Sequence, residues 1–156
     1  MSEEFFSALR LSTALGSAIV AGFFLAFSST VMVTLAQLEP RAGIIAMQSI
    51  NRTVLNPFFM LSFFGTAILA VILIWQASSR LPQANAIFWI LGAAIYVLGS
   101  VLVTILFNVP LNNSLEAVQA TDANSFEIWQ NYLRNWTFWN HVRTGASFVA
   151  AVLLLP

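Results

Sequence analysis

Four apolar stretches, 7–35, 55–77, 84–107 and 136–155, take up most of this chain. Each reaches the roughly 20 residues that a helix needs to cross a hydrocarbon core. Stretches of this length satisfy their backbone polar groups away from water by folding as helices. The expected fold is therefore all-α, an integral membrane four-helix bundle forming a single domain over 1–156, with amphipathic helical loops on one side. The side chains capable of chemistry gather in two places, Gln48–Arg52 and the span from Asn108 to Arg143. With four crossings these two places share one side of the membrane.

Composition agrees. Of the 156 residues 59% are hydrophobic and 8% charged, where a soluble domain carries about 25% charged residues. Mean hydropathy is +0.84. The six basic residues are all arginine and are balanced by six acids, which gives no footprint for nucleic acid. Absence of cysteine excludes disulfides, thiolate metal sites and a cysteine nucleophile. The start, Met1-Ser2-Glu3-Glu4, lacks a basic region, and the apolar run behind it is too long for a signal peptide, so a retained first helix is expected. Arg10 and Arg80 fall on one side, and Arg41, Arg52 and Arg134 on the other. This leans toward the first and third connections facing the cytoplasm, and the expected location is a bacterial inner membrane.

Residue spacing assigns faces. Ala14, Ala18, Gly22 and Ala26 repeat every four residues, the small-residue device by which membrane helices pack closely. Glu39-Pro40 breaks the first helix, and a helical pattern follows over 42–55 with Gln48, Asn51 and Arg52 on one face. The second apolar stretch, with Phe58, Phe59, Phe63, Phe64 and Trp75, reads as lipid-facing. In the third, Gly92, Tyr96, Ser100, Thr104 and Asn108 form a stripe that belongs inside the bundle. The stretch is expected to end at Phe107, with a long connection from Asn108 to Asn135 that holds Pro110 near its start. Helical patterns follow at 114–120 and 125–135, separated by 121–124, with Ser125 as the expected N-cap. Continued upstream, the last helix carries Trp129, Tyr132, Trp136, Asn140, Arg143 and Ser147 as one stripe.

His141 is the only histidine. It reads either as a functional ionisable group within a span or as a structural histidine at a helix end, with Thr137 and Thr144 a turn away. Arg143 lies deeper and requires a partner, a route to water or the headgroups. Glu116, Glu127 and an anionic ligand are the candidate partners. Asn51, Asn108 and Asn140 are neutral amides that tolerate burial when paired and can bind a carbonyl, a phenolate or a developing oxyanion. Asn112 and Asn113 also suit a turn. One histidine and no cysteine leave no His/Cys metal site in one chain, and a haem held by a single axial His141 stays open. No glycine-rich phosphate loop or dinucleotide fingerprint is present.

The segments Met47-Gln48-x-Ile50-Asn51-Arg52, Phe107-Asn108-Val109-Pro110-Leu111-Asn112-Asn113-x-Leu115 and Trp129-x-x-Tyr132-x-x-x-Trp136-x-x-Trp139-Asn140-His141-x-Arg143-Thr144 resemble the DUF1772 or anthrone oxygenase family. The resemblance runs over essentially the whole chain. It implies a small membrane oxygenase that oxidises an apolar, phenolic, anthrone-like substrate with molecular oxygen and no cofactor. In that reading His141 removes the substrate proton. Asn140, Asn108 and Asn51 stabilise the resulting anion, and Arg52 or Arg143 supplies positive charge. Gln48, Tyr96, Thr104, Asn112, Trp136 and Trp139 line the substrate site, with the two tryptophans packing its rings. The alternative is a non-enzymatic protein that binds lipid or quinone, or an assembly partner. A homo-oligomer is left open.

Overall fold

A computed structural model describes residues 2–119 and 124–155, and among these the regular structure is entirely helical. Helix α1 is α-helical over Glu3–Ala26, π-helical over Phe27–Val31 and α-helical again over Met32–Ala36. The Ser2 hydroxyl caps it by accepting the Phe5 amide. Helix α2, Pro40–Thr53, starts on the proline of the Glu39-Pro40 break. Helix α3, Pro57–Ser78, is capped by Asn56, whose Oδ1 accepts the Phe59 amide at 3.0 Å. Helix α4 begins as Ala84–Tyr96, widens through π-helical Val97–Leu102 and Thr104–Asn108, and ends as Val109–Glu116. Helix α5 is Ser125–Leu153.

The four long helices close a ring in the order α1, α3, α4, α5, so that α3 and α5 do not touch. Helix α2 lies across one end, against α5 and the last turns of α1 and α4. Two apolar clusters follow. One fills the ring with Phe24, Phe63, Leu73 and Tyr96; the other, under α2, is built from Met32, Ile44, Met47 and Trp129.

The chain is a membrane helical bundle. Helices α1, α3 and α4 are long and apolar enough to cross a bilayer. Helix α5 has 29 residues but is too polar to qualify on composition. The reason is visible in its buried face. Trp129, Tyr132, Trp136, Asn140, Arg143 and Ser147, the stripe expected from sequence, all point inward.

Three local expectations change. Of the four small residues in the expected line only Ala14 is buried; Ala18, Gly22 and Ala26 face outward, and nothing lies within 4 Å of a Cβ placed at Gly22. The packing face is instead Thr13, Ser17, Val20, Ala21 and Phe24, with Gly16 so close to Thr66 of α3 that a Cβ there would collide with it. Helix α4 does not end at Phe107 but runs on through Pro110 to Glu116. A proline inside an α-helix removes a hydrogen bond and strikes the preceding turn, but the π-helical stretch over Thr104–Asn108 widens that turn. Ser125 is the first helical residue, and Asn124 takes the cap position without a side-chain bond. Residues 120–123, where a helix end and most of a turn were expected, lie outside the described residues.

The wide turns also explain the α4 stripe. In an α-helix each four-residue step overshoots a full turn by roughly 40°. The π-helical turns undershoot it, so Tyr96, Ser100 and Asn108 all stay buried and Thr104 half-buried. Gly99 sits on the same side, where an added Cβ would collide with Ala146 of α5. Gly99→Ala is therefore expected to lower stability by about 1–3 kcal/mol through overpacking, against the helix propensity that favours alanine by about 1 kcal/mol. Gly22→Ala should be neutral or stabilising. Denaturation midpoints of the two variants in detergent check the pair, and equal effects would contradict the packing described.

Candidate functional site

The π-helical stretches flank one buried polar cluster. The junction of α1 between α-helical and π-helical register lies at this cluster, where the Phe27 amide is shared by the Phe23 and Phe24 carbonyls. The Phe24 carbonyl there accepts Nδ2 of Asn140 at 2.7 Å, and the same Nδ2 meets Ser28 Oγ. Asn140 is fully buried. Its Oδ1 accepts Nη2 of Arg143 at 2.6 Å. From α4, Thr104 donates its hydroxyl to the Ser100 carbonyl at 2.7 Å, which leaves its oxygen to accept Nη1 of Arg143 at 3.1 Å. Ser100 in turn bonds Ser147 and the Arg143 carbonyl.

The Arg143 guanidinium lies 4.1 Å from the Phe24 ring centre and 5.2 Å from that of Trp136. Such contacts strengthen where water is absent. Among the described residues no carboxylate reaches it. Among the described residues the ion pairs are Arg52–Glu116 and Arg80–Glu3, both at the surface. Glu116, a candidate partner, is thus taken by Arg52, and Glu127 is exposed in the first turn of α5. Arg143 keeps one buried donor, Nε, without a partner.

Arg143, Thr104, Trp136, Asn112 and Asn51 line one cavity of about 90 Å³, walled by Phe23, Phe27 and Phe59. Asn51 contributes a second buried unpartnered donor, its Nδ2. Asn112 fixes the aromatic wall, since its Oδ1 accepts both Tyr132 Oη at 2.9 Å and Trp136 Nε1 at 2.7 Å. Tyr132 is stacked between Trp129 and Trp136, and Trp136 meets Phe27 at 5.9 Å. The cavity therefore offers cationic and amide N–H donors within aromatic walls, a setting suited to an anion on a flat apolar molecule.

Other expected site residues sit elsewhere. His141 is exposed and lines an open groove with Arg134, Thr137 and Met32 on the outer side of α1 and α5. Two residues on, Arg143 is about 200° further round the helix, so His141 and the Asn140–Arg143 pair face different spaces. Arg52 points out to Glu116. Gln48 is structural, its Nε2 donating to the Leu115 and Val118 carbonyls at 2.9 and 3.0 Å and so tying α2 to the end of α4. Tyr96 donates to the Phe63 carbonyl at 3.0 Å within the apolar ring. Trp139 stacks on Phe107 at 3.6 Å, away from the cavity. Asn108 holds the Trp136 carbonyl through Nδ2 at 3.2 Å, and its buried Oδ1 has no partner. Sequence reasoning missed Phe24 and Ser28. Ser28 was readable only as a hydroxyl that is cheap at depth, and Phe24 only as apolar.

Breaking the cluster should be costly. Asn140→Leu orphans Arg143 Nη2 and Ser28 together, and a buried unsatisfied group costs about 1–3 kcal/mol each. Arg52→Ala, which removes an exposed pair, should cost under about 1 kcal/mol. Chemical denaturation in detergent compares the two, and an equal loss would contradict the cluster's structural role.

A helical membrane bundle with a buried arginine, held by neutral groups, over an aromatic cavity is the class that the fold and geometry define. The family model for anthrone oxygenase matches residues 59–153, and the chain belongs to that family. The match spans α3, α4 and α5 and so includes Thr104, Asn112, Trp136, Asn140 and Arg143, while Asn51 and Phe24 precede it. No curated protein and no solved structure matches the chain.

Proposed function

We propose that this protein is a membrane oxygenase that oxidises an anthrone-like phenolic substrate with molecular oxygen, and that Arg143 holds the substrate as its enolate. The observation that carries the reading is the buried guanidinium with a free Nε, facing an aromatic cavity and without a carboxylate partner among the described residues. Family membership supports the choice of reaction. A ketone whose CH₂ lies between two aromatic rings becomes far more acidic when its enolate oxygen meets a cation and an amide donor. Arg143 Nε and Asn51 Nδ2 supply these. The proton passes to water at the cavity mouth. The enolate carbon then gives electrons to dioxygen and forms a carbon–oxygen bond, and the hydroperoxide loses water. The balance is anthrone plus O₂ giving anthraquinone plus H₂O.

Helix α5 serves here as the fourth crossing of the membrane, with its polar stripe turned away from lipid. In this reading no cofactor takes part. Among the described residues no group of three histidine, cysteine, aspartate or glutamate side chains is placed to hold a metal. A haem on His141 is a separate matter that an absorption spectrum of the purified protein decides.

The cavity wall has neither histidine nor carboxylate, and this favours a second reading, a site that binds an anionic quinone or lipid without turnover. The two readings separate on oxygen uptake with anthrone. Arg143→Met removes the desolvation cost of a buried charge and leaves only neutral acceptors, on Asn140 and Thr104, without a donor. Arg143→Met should remain folded and lose on the order of 10²–10³-fold in activity, as when a transition-state donor is removed. His141→Ala should lose less than about tenfold, below the 10²–10⁴ typical of a general base. The opposite ranking would return the base role to His141 and remove the account given for Arg143. Binding without oxygen uptake would support the second reading.

A further inference from the structure

The cavity at Arg143, about 90 Å³, is too small for three fused rings, since pockets for drug-sized ligands run roughly 300–1,000 Å³. Two more cavities adjoin it. One of about 140 Å³ lies between α1 and α3 and is lined by Ile19, Phe58 and Ser62. Its rim is lipid-facing, since Phe58 is 80% exposed and Ile19 51%. The other, about 290 Å³, lies between α1 and α2 and is lined by Ser49, Ile50 and Thr53. Phe23 lines all three. Joined, they reach the size that a tricyclic ligand needs.

We propose that Phe23 is the movable partition of a lateral portal between α1 and α3, through which a flat apolar aromatic molecule passes from the bilayer to Arg143. This rests on the aromatic-ligand reading above and adds the route. Phe23 is half-buried and is placed by ring contacts, 4.7 Å to Phe59 and 5.0 Å to Phe27. Its neighbour Phe24 differs, being fully buried beneath the Arg143 guanidinium. The outer cavity between α1 and α3, which Phe23 lines, leaves room for its ring to swing. Contacts between apolar side chains exchange readily for contacts with the rings of a passing ligand, so the partition opens without stranding a polar group of Phe23. The deeper donors, Arg143 Nε and Asn51 Nδ2, then lie at the end of an apolar path. A route through the membrane suits a substrate that partitions into lipid.

The test uses the full chain in lipid nanodiscs and anthraquinone, which cannot be oxidised further, as the probe. Binding is followed by quenching of tryptophan fluorescence in a stopped-flow instrument. A partition sets a barrier, so Phe23→Ala should raise association and dissociation rates together, by about tenfold. The chain has no cysteine, so Phe23→Cys can be labelled at that position alone with a benzyl methanethiosulfonate. The label should slow both rates by a similar factor, and reductant should restore them. Circular dichroism confirms folding, and the reversible label provides its own control if Phe23→Ala unfolds. Rates that ignore both changes would overturn the portal while leaving the oxygenase reading intact. A wild-type protein that binds no tricyclic probe would overturn it as well. Rates that respond to Phe23, in a protein that fails to oxidise anthrone, would uphold the portal and remove the oxygenase reading.

Discussion

Burying the Arg143 guanidinium with no carboxylate partner among the described residues is the constraint around which the rest of this structure is arranged. An arginine at the centre of a membrane helix costs about 2.5–3.5 kcal/mol on insertion scales. The protein offsets this with an amide oxygen from Asn140, a hydroxyl from Thr104 and the faces of Phe24 and Trp136. All of these partners are neutral. A carboxylate would have neutralised the site, whereas neutral partners leave a net positive charge beside the cavity.

Holding those partners in place requires helices that depart from regular winding. The π-helical turns of α1 and α4 lie at the level of the cluster. In α1 the Phe24 carbonyl, at the change of register, accepts Asn140 as well as the Phe27 amide. In α4 it keeps Ser100 and Thr104 on the face that meets Arg143 and carries the helix past Pro110. Wide turns of this kind recur at functional sites because they redirect a few groups without ending the helix. The same turns bring Asn112, a turn beyond Asn108, to the aromatic wall.

Much of this was legible in the sequence, for reasons specific to each residue. The inward stripe of α5 follows from helical spacing, because Asn140, Arg143 and Ser147 have no place against lipid. The convergence of Asn51, Asn112, Trp136 and Arg143 on one cavity follows from topology, since their segments share an end of the bundle. What spacing does not give is the direction of a neighbour off the stripe. His141 stands in the densest motif yet turns outward, because adjacent helical residues point about 100° apart. The Ala18–Gly22–Ala26 line was misread because small residues permit close packing without saying which face is packed. Gln48 and Tyr96 were grouped with the site by polarity, but their partners are distant backbone carbonyls that sequence does not reveal. The π-helical turns had no local signal beyond Pro110.

The chemistry follows from the same constraint. A fixed cation in a low-dielectric cavity stabilises a bound anion more strongly than it would in water, and it leaves the neutral form of the same ligand nearly indifferent. The most direct measurement is therefore the ionisation of a ligand in the cavity. A hydroxylated anthraquinone, whose phenolate absorbs at longer wavelength, can be titrated in the presence of the protein. The account predicts that binding lowers the phenol pKa by about 1–3 pH units, as an adjacent cation does, and that Arg143→Met abolishes the shift. A bound phenol that titrates as it does in free solution, or one that stays neutral to higher pH as in a purely apolar pocket, would contradict it.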